Sequence, residues 1–285
     1  MPIKLQVLTT KQIFRTPPDP QGWESCWSGY FQMTKVRSAH KREMDRRVQG
    51  EDVSPADVMS DWEAERQFFL NVVQDIKKDC ITMFELGAGR GDICLSLAGV
   101  IDFHLVPVSA KFYRCLALEA EPTHFEWTKE HLERQGIKGV VVHGAIHGYD
   151  GYCQFDTNEE HTYGSSIYSM NVNITVPCYT IDTLMKKYDF PHIDILHMDV
   201  QGAECVALQG AGLALSRGNI DYIIIATHDS GMNGTLRKFL NRNYEIIIDI
   251  SPGTPQVETS IGKVSFPEDG LMIFKRRALD SDSIA

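Results

Sequence analysis

Apolar positions change their period near residue 80. Before it, Trp62, Phe68, Phe69, Val72, Val73 and Ile76 recur at helical spacing, and Ser54-Pro55 reads as the start of that helix, with Ser as cap and Pro in the first turn. After it, short apolar runs alternate with helical stretches. Strands are predicted over 81–86 (ITMFEL), 115–120 (CLALEA), 140–143 (VVVH), 193–198 (IDILHM), 222–227 (YIIIAT), 244–250 and 271–275. Helices are predicted over 92–100, 122–135 with Gly136 as the stop, 180–188, 203–215 and 235–241. This alternation implies an α/β fold, a seven-stranded, mostly parallel sheet with helices on both faces. The last two strands are joined without a helix, which allows an antiparallel strand at the edge. Ligands in such sheets sit at the carboxyl ends of the strands, so the residues just after each strand are the candidates.

The chain divides into an N-terminal extension or arm, residues 1–60, and one domain, residues 61–285. The arm carries Pro17, Pro18, Pro20, scattered aromatics and a basic cluster of Lys35, Arg37, Lys41, Arg42, Arg46 and Arg47. That cluster reads as a solvated helix face, or as an anion-facing arm, lid or homo-oligomer contact. Residues 102–114 look like an insertion. Residues 156–177 are polar and read either as a lid over the site or as a surface β-hairpin.

Charge narrows the function classes. With 28 Lys+Arg against 38 Asp+Glu the net charge is −10, the wrong sign for a general nucleic-acid or anionic-membrane binder. No apolar run approaches the roughly 18–20 residues of a membrane helix, and residues 1–20 show no signal-peptide pattern. Seven cysteines stand too far apart for CxxC metal or redox motifs. A reducing cytoplasm is the expected setting.

The first strand of the alternating region runs into Glu85-Leu86-Gly87-Ala88-Gly89-Arg90-Gly91-Asp92. The glycines let a ligand lie against the backbone. The spacing is GxGxG, and Asp92 stands where a dinucleotide fingerprint has its third glycine. Glu85 would repel a pyrophosphate and suits a cationic ligand, which points to S-adenosylmethionine rather than NAD. Gly87, Ala88, Gly89, Gly91 and Asp92 are the loop's candidate cofactor contacts. Glu119, at the end of the second strand, is placed to accept from both ribose hydroxyls, with Ala120 beside it. Ala145, after the third strand, is the candidate for the adenine edge.

The fourth strand continues into Asp199-Val200-Gln201-Gly202-Ala203-Glu204. With the glycine loop, Tyr179-Thr180-Ile181-Asp182-Thr183-Leu184, Ala226-Thr227-His228 and Glu268-Asp269-Gly270-Leu271, it resembles the FkbM family of S-adenosylmethionine-dependent methyltransferases over roughly residues 80–275. The resemblance implies a class I methyltransferase (Rossmann-like) fold and O-methylation of a hydroxyl on a sugar, glycan or secondary metabolite. Gln201 departs from the Glu that many members carry there.

A hydroxyl has a pKa close to that of water, about 15.7, so its methylation needs a base or a metal. Asp199, His228 and Glu204 are the candidate catalytic residues. His228 has the natural pKa of a base, and Asp199 would orient it or bind the acceptor. Alternatively Asp199, His228 and Asp229 would hold Mg²⁺, which prefers oxygen ligands. Two other functions compete: a non-catalytic module that binds S-adenosylmethionine or a partner, and an NAD-dependent oxidoreductase.

Overall fold

The computed structural model describes residues 23–25, 31–33, 58–102, 106–157, 166–168 and 172–278. The basic cluster at 35–47 and the expected helix start at Ser54-Pro55 lie outside them. Strands β1 (Trp23–Ser25) and β2 (Phe31–Met33) form an antiparallel pair. Strand β3 (Val58–Met59) precedes helix α1 (Asp61–Asp75). The start of α1 is fixed by Ser60: its hydroxyl accepts from Glu63 N while the Glu63 carboxylate accepts from Ser60 N. Phe68, Phe69, Val72, Val73 and Ile76 are all buried, as the stripe requires.

The main sheet holds β4 (Cys80–Leu86), β5 (Phe112–Glu119), β6 (Gly139–His143), β10 (Ile193–Met198), β11 (Ile220–Thr227), β12 (Tyr244–Ile250) and β15 (Gly270–Arg276). Their order is β12-β15-β11-β10-β4-β5-β6. The run from β11 to β6 pairs in parallel, and β15 is antiparallel to both β11 and β12. The sheet is therefore mixed. The antiparallel strand is the last in sequence, but it is inserted between β11 and β12 and does not form the expected edge. Strand β5 begins at Phe112, so the segment read as an insertion over 102–114 gives its last three residues to the sheet.

Helices α2 (Asp92–Asp102), α3 (Pro122–Arg134), α4 (Ile181–Lys187), α5 (Glu204–Gln209), α6 (Gly212–Ser216) and α7 (Ser230–Leu240) complete the layers. Alternate strand residues serve opposite faces. Cys115 and Ala117 pack with α1 and α2, while Leu116 and Leu118 pack with α4 to α7. The single helix expected over 203–215 breaks at Gly210, where a Cβ would sit 2.5 Å from the His147 carbonyl oxygen. The helix expected at 235 begins five residues earlier, because Asp229 caps it through Gly231 N at 2.6 Å.

Two small sheets rim the carboxyl ends. Strands β7 (Ala145–Ile146), β8 (Gly151–Phe155) and β9 (Ile174–Tyr179) form one, in which β8 and β9 are antiparallel arms around the polar segment after Phe155. The hairpin reading of that segment thus holds for residues 174–177. Strands β13 (Thr254–Thr259) and β14 (Gly262–Phe266) join β3 in the other. Among the described residues, no helix is long and apolar enough to cross a membrane.

Candidate functional site

The glycine loop bridges β4 and α2. Gly87 has φ +76°, and a Cβ there would meet the Asp199 carbonyl oxygen at 1.9 Å, so only glycine lets the ends of β4 and β10 touch. Gly87 N and Ala88 N both donate to Leu118 O at 3.0 Å, which ties the loop to β5. Gly91 lies against Leu132 and Thr128 of α3. The buried Glu85 accepts from Ile93 N (3.0 Å) and Cys94 N (2.9 Å), so its charge is directed at the first turn of α2. Burial pushes its carboxyl up to about 7, against the pull of Cys94, His197 and Ile93. The charge that the sequence assigned to a cationic ligand is thus engaged first by backbone amides.

Glu119 holds the other side of the loop. One carboxylate oxygen accepts from Gly89 N (2.6 Å) and the other from Glu121 N (2.8 Å). Burial raises this carboxyl to about 7 as well, opposed by those bonds. Glu121 itself caps α3 through His124 N at 2.6 Å. A cavity open at its mouth is lined by Gly87, Gly89, Glu119, Ala120, Ala145 and Asp199, with apolar walls from Leu118, Ile146, Phe155 and Ile167. Its concave, mostly apolar lining with a few convergent polar groups suits a small-molecule site. Asp92, at the start of α2, lies outside this cavity with Oδ2 3.8 Å from Arg90 Nε.

Beyond β10 the chain turns sharply, with Gln201 at φ 51° and Gly202 at φ +100°. Gln201 Nε2 donates to Asp199 Oδ1 at 3.2 Å, where a glutamate would set a second negative charge. Ser166 Oγ donates to Gln201 O at 3.0 Å and fastens the described tip of the β8–β9 segment over this turn. Glu204 is fully buried, and its Oε1 accepts from Val200 N and Gly202 N at 3.3 Å. Burial holds its carboxyl above the ordinary glutamate range.

His228, just past β11, reaches Asp199 Oδ1 with Nε2 (3.0 Å) and Asp269 Oδ1 with Nδ1 (2.8 Å); Glu204 Oε1 lies 3.7 Å from Nε2. Burial opposes its charge, but the bonds to Asp199 and Asp269 outweigh that and push its pKa up to about 10. The same pairing outweighs burial at Asp199 and keeps its carboxyl below the ordinary aspartate range. The ordinary histidine pKa expected for His228 is therefore replaced by that of a fixed imidazolium at neutral pH. The three catalytic candidates do come together. Asp269, which no strand-end rule for β10 or β11 identifies, joins them from the turn before β15.

A second cavity adjoins the first, lined by Asp61, Glu65, Glu85, Asp92, Arg90, His197, Asp199 and Asp269 among others. Gly87, Gly89 and Asp199 line both. His197 Nε2 bonds Glu65 Oε1 at 2.9 Å, and this bond outweighs burial to raise its pKa. The trio considered for Mg²⁺ does not form a ligand set. Both His228 nitrogens are engaged, and Asp229 caps α7. Among the described residues the metal-capable set is His192, Asp194 and Asp221, at the opposite end of β10 and β11. There the Lys78 ammonium already bridges Asp194 and Asp221.

Residues 70–246 match the methyltransferase FkbM domain. A protein of Jannaschia sp. (strain CCS1), provisionally named a methyltransferase, is 33% identical over 100 residues, covering 34% of this chain and 33% of that protein. The chain thus spans about a third of that relative's length. Among solved structures, precorrin-6y C5,15-methyltransferase from Geobacter metallireducens GS-15 aligns at 12% identity over 80% of this chain and 95% of its own, TM-score 0.43. An rRNA methylase from Streptococcus thermophilus aligns at 11% identity over 75% and 95%, TM-score 0.41. With well over half of its length inside the matched domain, this chain belongs to the FkbM methyltransferase family.

Proposed function

We propose that the protein is an S-adenosylmethionine-dependent O-methyltransferase acting on a hydroxyl of a sugar, glycan or secondary metabolite. The observation that carries this reading is the meeting of two cavities at Gly87, Gly89 and Asp199. The first cavity fits the donor. Ala120, Ala145, Ile146 and Phe155 offer an apolar slot for adenine, Glu119 offers carboxylate oxygens to ribose hydroxyls, and the backbone at Gly87 and Gly89 is bare of side chains. The donor, when bound, supplies a methyl group on a sulfonium. Asp199 stands at the junction, so an acceptor hydroxyl entering from the second cavity meets its carboxylate. Asp199 takes the hydroxyl proton, and the His228 imidazolium holds that carboxylate in place while Asp269 holds the ring. A base role for His228 itself would require the ring to lose a proton first. The six described cysteines are free, which suits a cytoplasmic enzyme.

Calorimetry with S-adenosylhomocysteine and NAD tests the donor, and labelled methyl transfer to a panel of hydroxyl acceptors tests the reaction. Binding of S-adenosylhomocysteine in preference to NAD, followed by methyl transfer to oxygen, is expected. Tighter NAD binding, or transfer only to nitrogen or carbon, would overturn the reading. Tight donor binding with no transfer to any acceptor would leave a binding module instead.

A further inference from the structure

Asp199 is held by one oxygen only. Its Oδ1 accepts from His228 Nε2 at 3.0 Å and from Gln201 Nε2 at 3.2 Å, while Oδ2 makes no hydrogen bond among the described residues. A carboxylate can only accept, so the Gln201 amide is fixed with its nitrogen toward Asp199. Because Asp199 lines both cavities, Oδ2 is the oxygen left for a hydroxyl that enters from the second.

The stretch that holds Gln201 is shared with the donor cavity. Gln201 sits at φ 51°, a region that residues with side chains seldom enter, and such a conformation persists where its surroundings impose it. The Ser166 hydroxyl supplies that constraint. It accepts from Tyr168 N at 3.1 Å, which leaves its proton for donation to Gln201 O at 3.0 Å. Ser166 is itself tied to the end of β8, where Asp156 N donates to Ser166 O at 3.1 Å. Ile167, the next residue, forms part of the donor-cavity wall, and Gln201 lines the same cavity. The stretch that walls the donor cavity thus also sets the aim of Asp199.

We propose that Gln201, held by Ser166, is a positioning residue: with His228 it occupies Asp199 Oδ1 and so assigns the acceptor's proton to Oδ2. This rests on the reading of the site as a methyl-transfer centre. The proton leaves the hydroxyl for Oδ2 as the new O–C bond forms. The C–S bond breaks with its electron pair kept by sulfur, so the products are a methyl ether, a protonated Asp199 and a neutral thioether. The other charges facing Asp199 are His228 with Asp269 behind it, Glu204 at the start of α5 and His197 on β10. Asp61, Glu65, Glu85, Arg90 and Asp92 share the wall of the second cavity. None of them changes when position 201 alone is replaced.

The test replaces Gln201 by Met, which has no N–H to give, and by Glu, which sets a carboxylate against Asp199. The full chain, isotope-labelled at its aspartate carboxyl carbons, is saturated with S-adenosylhomocysteine, whose binding is measured first by calorimetry. The Asp199 NMR signal is identified by its absence in Asp199→Asn. In the wild type this carboxyl should titrate below the ordinary 3.8. Gln201→Glu should hold a shared proton to a pH at least about one unit higher, and the acid limb of methyl transfer to the hydroxyl panel should move with it. Gln201→Met should lower kcat roughly 10- to 100-fold with KM little changed. Ser166→Ala, at a residue that lines neither cavity, should lower kcat in the same direction. An unmoved Asp199 titration in Gln201→Glu, or full kcat in Gln201→Met, would overturn the proposal. So would a Gln201→Met defect confined to S-adenosylhomocysteine affinity, which marks a wall residue of the donor cavity. Absence of methyl transfer to oxygen in the wild type would instead sink the methyl-transfer reading, and this proposal with it.

Discussion

His228 Nδ1 lies 2.8 Å from Asp269 Oδ1, a bond that joins the end of β11 to the turn before β15. Strand β15 runs antiparallel to β11, with Thr227 directly opposite Gly270. That register places the acidic residue just before one strand beside the histidine just after the other. The imidazole is thereby gripped from both sides, by Asp269 on Nδ1 and by Asp199 on Nε2. One consequence is local stability and another is chemical: the ring is a charge that positions Asp199.

Its titration should show this. The folded pKa, about 10, is raised above the ordinary 6.5. The stabilising contribution is therefore complete below pH 6.5 and is lost as pH rises through about 10. Urea denaturation followed across that window should show stability falling toward the alkaline end. Asp269→Asn should shrink this dependence and lower the His228 pKa, read by NMR of the ring. A ring titrating near 6.5 in the wild type would contradict the clamp.

Much of this arrangement was readable before any fold was known, and the limits have physical causes. Strands β4, β10 and β11 announce themselves because they are largely buried on both faces and so are apolar at most positions. The GxGxG loop and Glu119 follow from them by position. The placement of β15 does not, since an antiparallel strand can pair at an edge or be inserted, and local pattern is the same in both. Strands β13 and β14 are half exposed and short, and their pairing with β3 is nonlocal. Asp269 was part of a recognised stretch, but its role depends on the β11–β15 register. Glu65 was hidden for a similar reason: it looks like any polar helix residue until α1 packs beside His197.

Glycine 87 offers a steric test. Gly87→Ala places a Cβ against the Asp199 carbonyl and forces an L side chain to φ +76°. A loss of about 1–3 kcal/mol from the backbone strain alone is expected, together with loss of S-adenosylhomocysteine binding. Gly212→Ala, where a Cβ meets nothing within 4 Å, is the control and should leave both unchanged. Melting curves and calorimetry read the contrast.

Acid should weaken donor binding. Glu119 and Glu85 have carboxyls raised to about 7 by burial, above the ordinary 4.5. Their protonated forms favour the free folded protein, so their contribution to stability is complete below pH 4.5 and is lost as pH rises through about 7. Ribose hydroxyls donate best to an ionised Glu119. S-adenosylhomocysteine affinity should therefore decline as pH falls below about 7, and Glu119→Gln should cost at least about tenfold at neutral pH. Calorimetry over this range decides it. A flat profile with unchanged affinity in the variant would move the ribose contact elsewhere.

Metal removal should have no effect on turnover. Both His228 nitrogens are bonded to carboxylates, and Asp229 spends an oxygen on Gly231 N. Activity should survive exhaustive EDTA treatment and gain nothing from added Mg²⁺. Loss of activity with EDTA that Mg²⁺ restores would show that these side chains rearrange around an ion.

The division of labour between Asp199 and His228 separates under mutation. If Asp199 takes the acceptor proton, Asp199→Asn removes the base and should lower kcat by roughly 10²- to 10⁴-fold, the usual weight of general-base catalysis. His228→Ala leaves the carboxylate in place, held by Gln201 but without the imidazolium. It should cost less in kcat, and it should raise the pKa of Asp199, because the lost bond is the main force holding that carboxyl down. The variant's rate should then acquire an acid limb at higher pH than the wild type shows. Both changes should leave S-adenosylhomocysteine affinity nearly intact, since Glu119 and the apolar walls hold the adenosine part. The opposite ranking, with His228→Ala the more damaging and its rate insensitive to pH, would return the base role to the imidazole. Full activity in the double variant at saturating donor would remove both residues from the reaction.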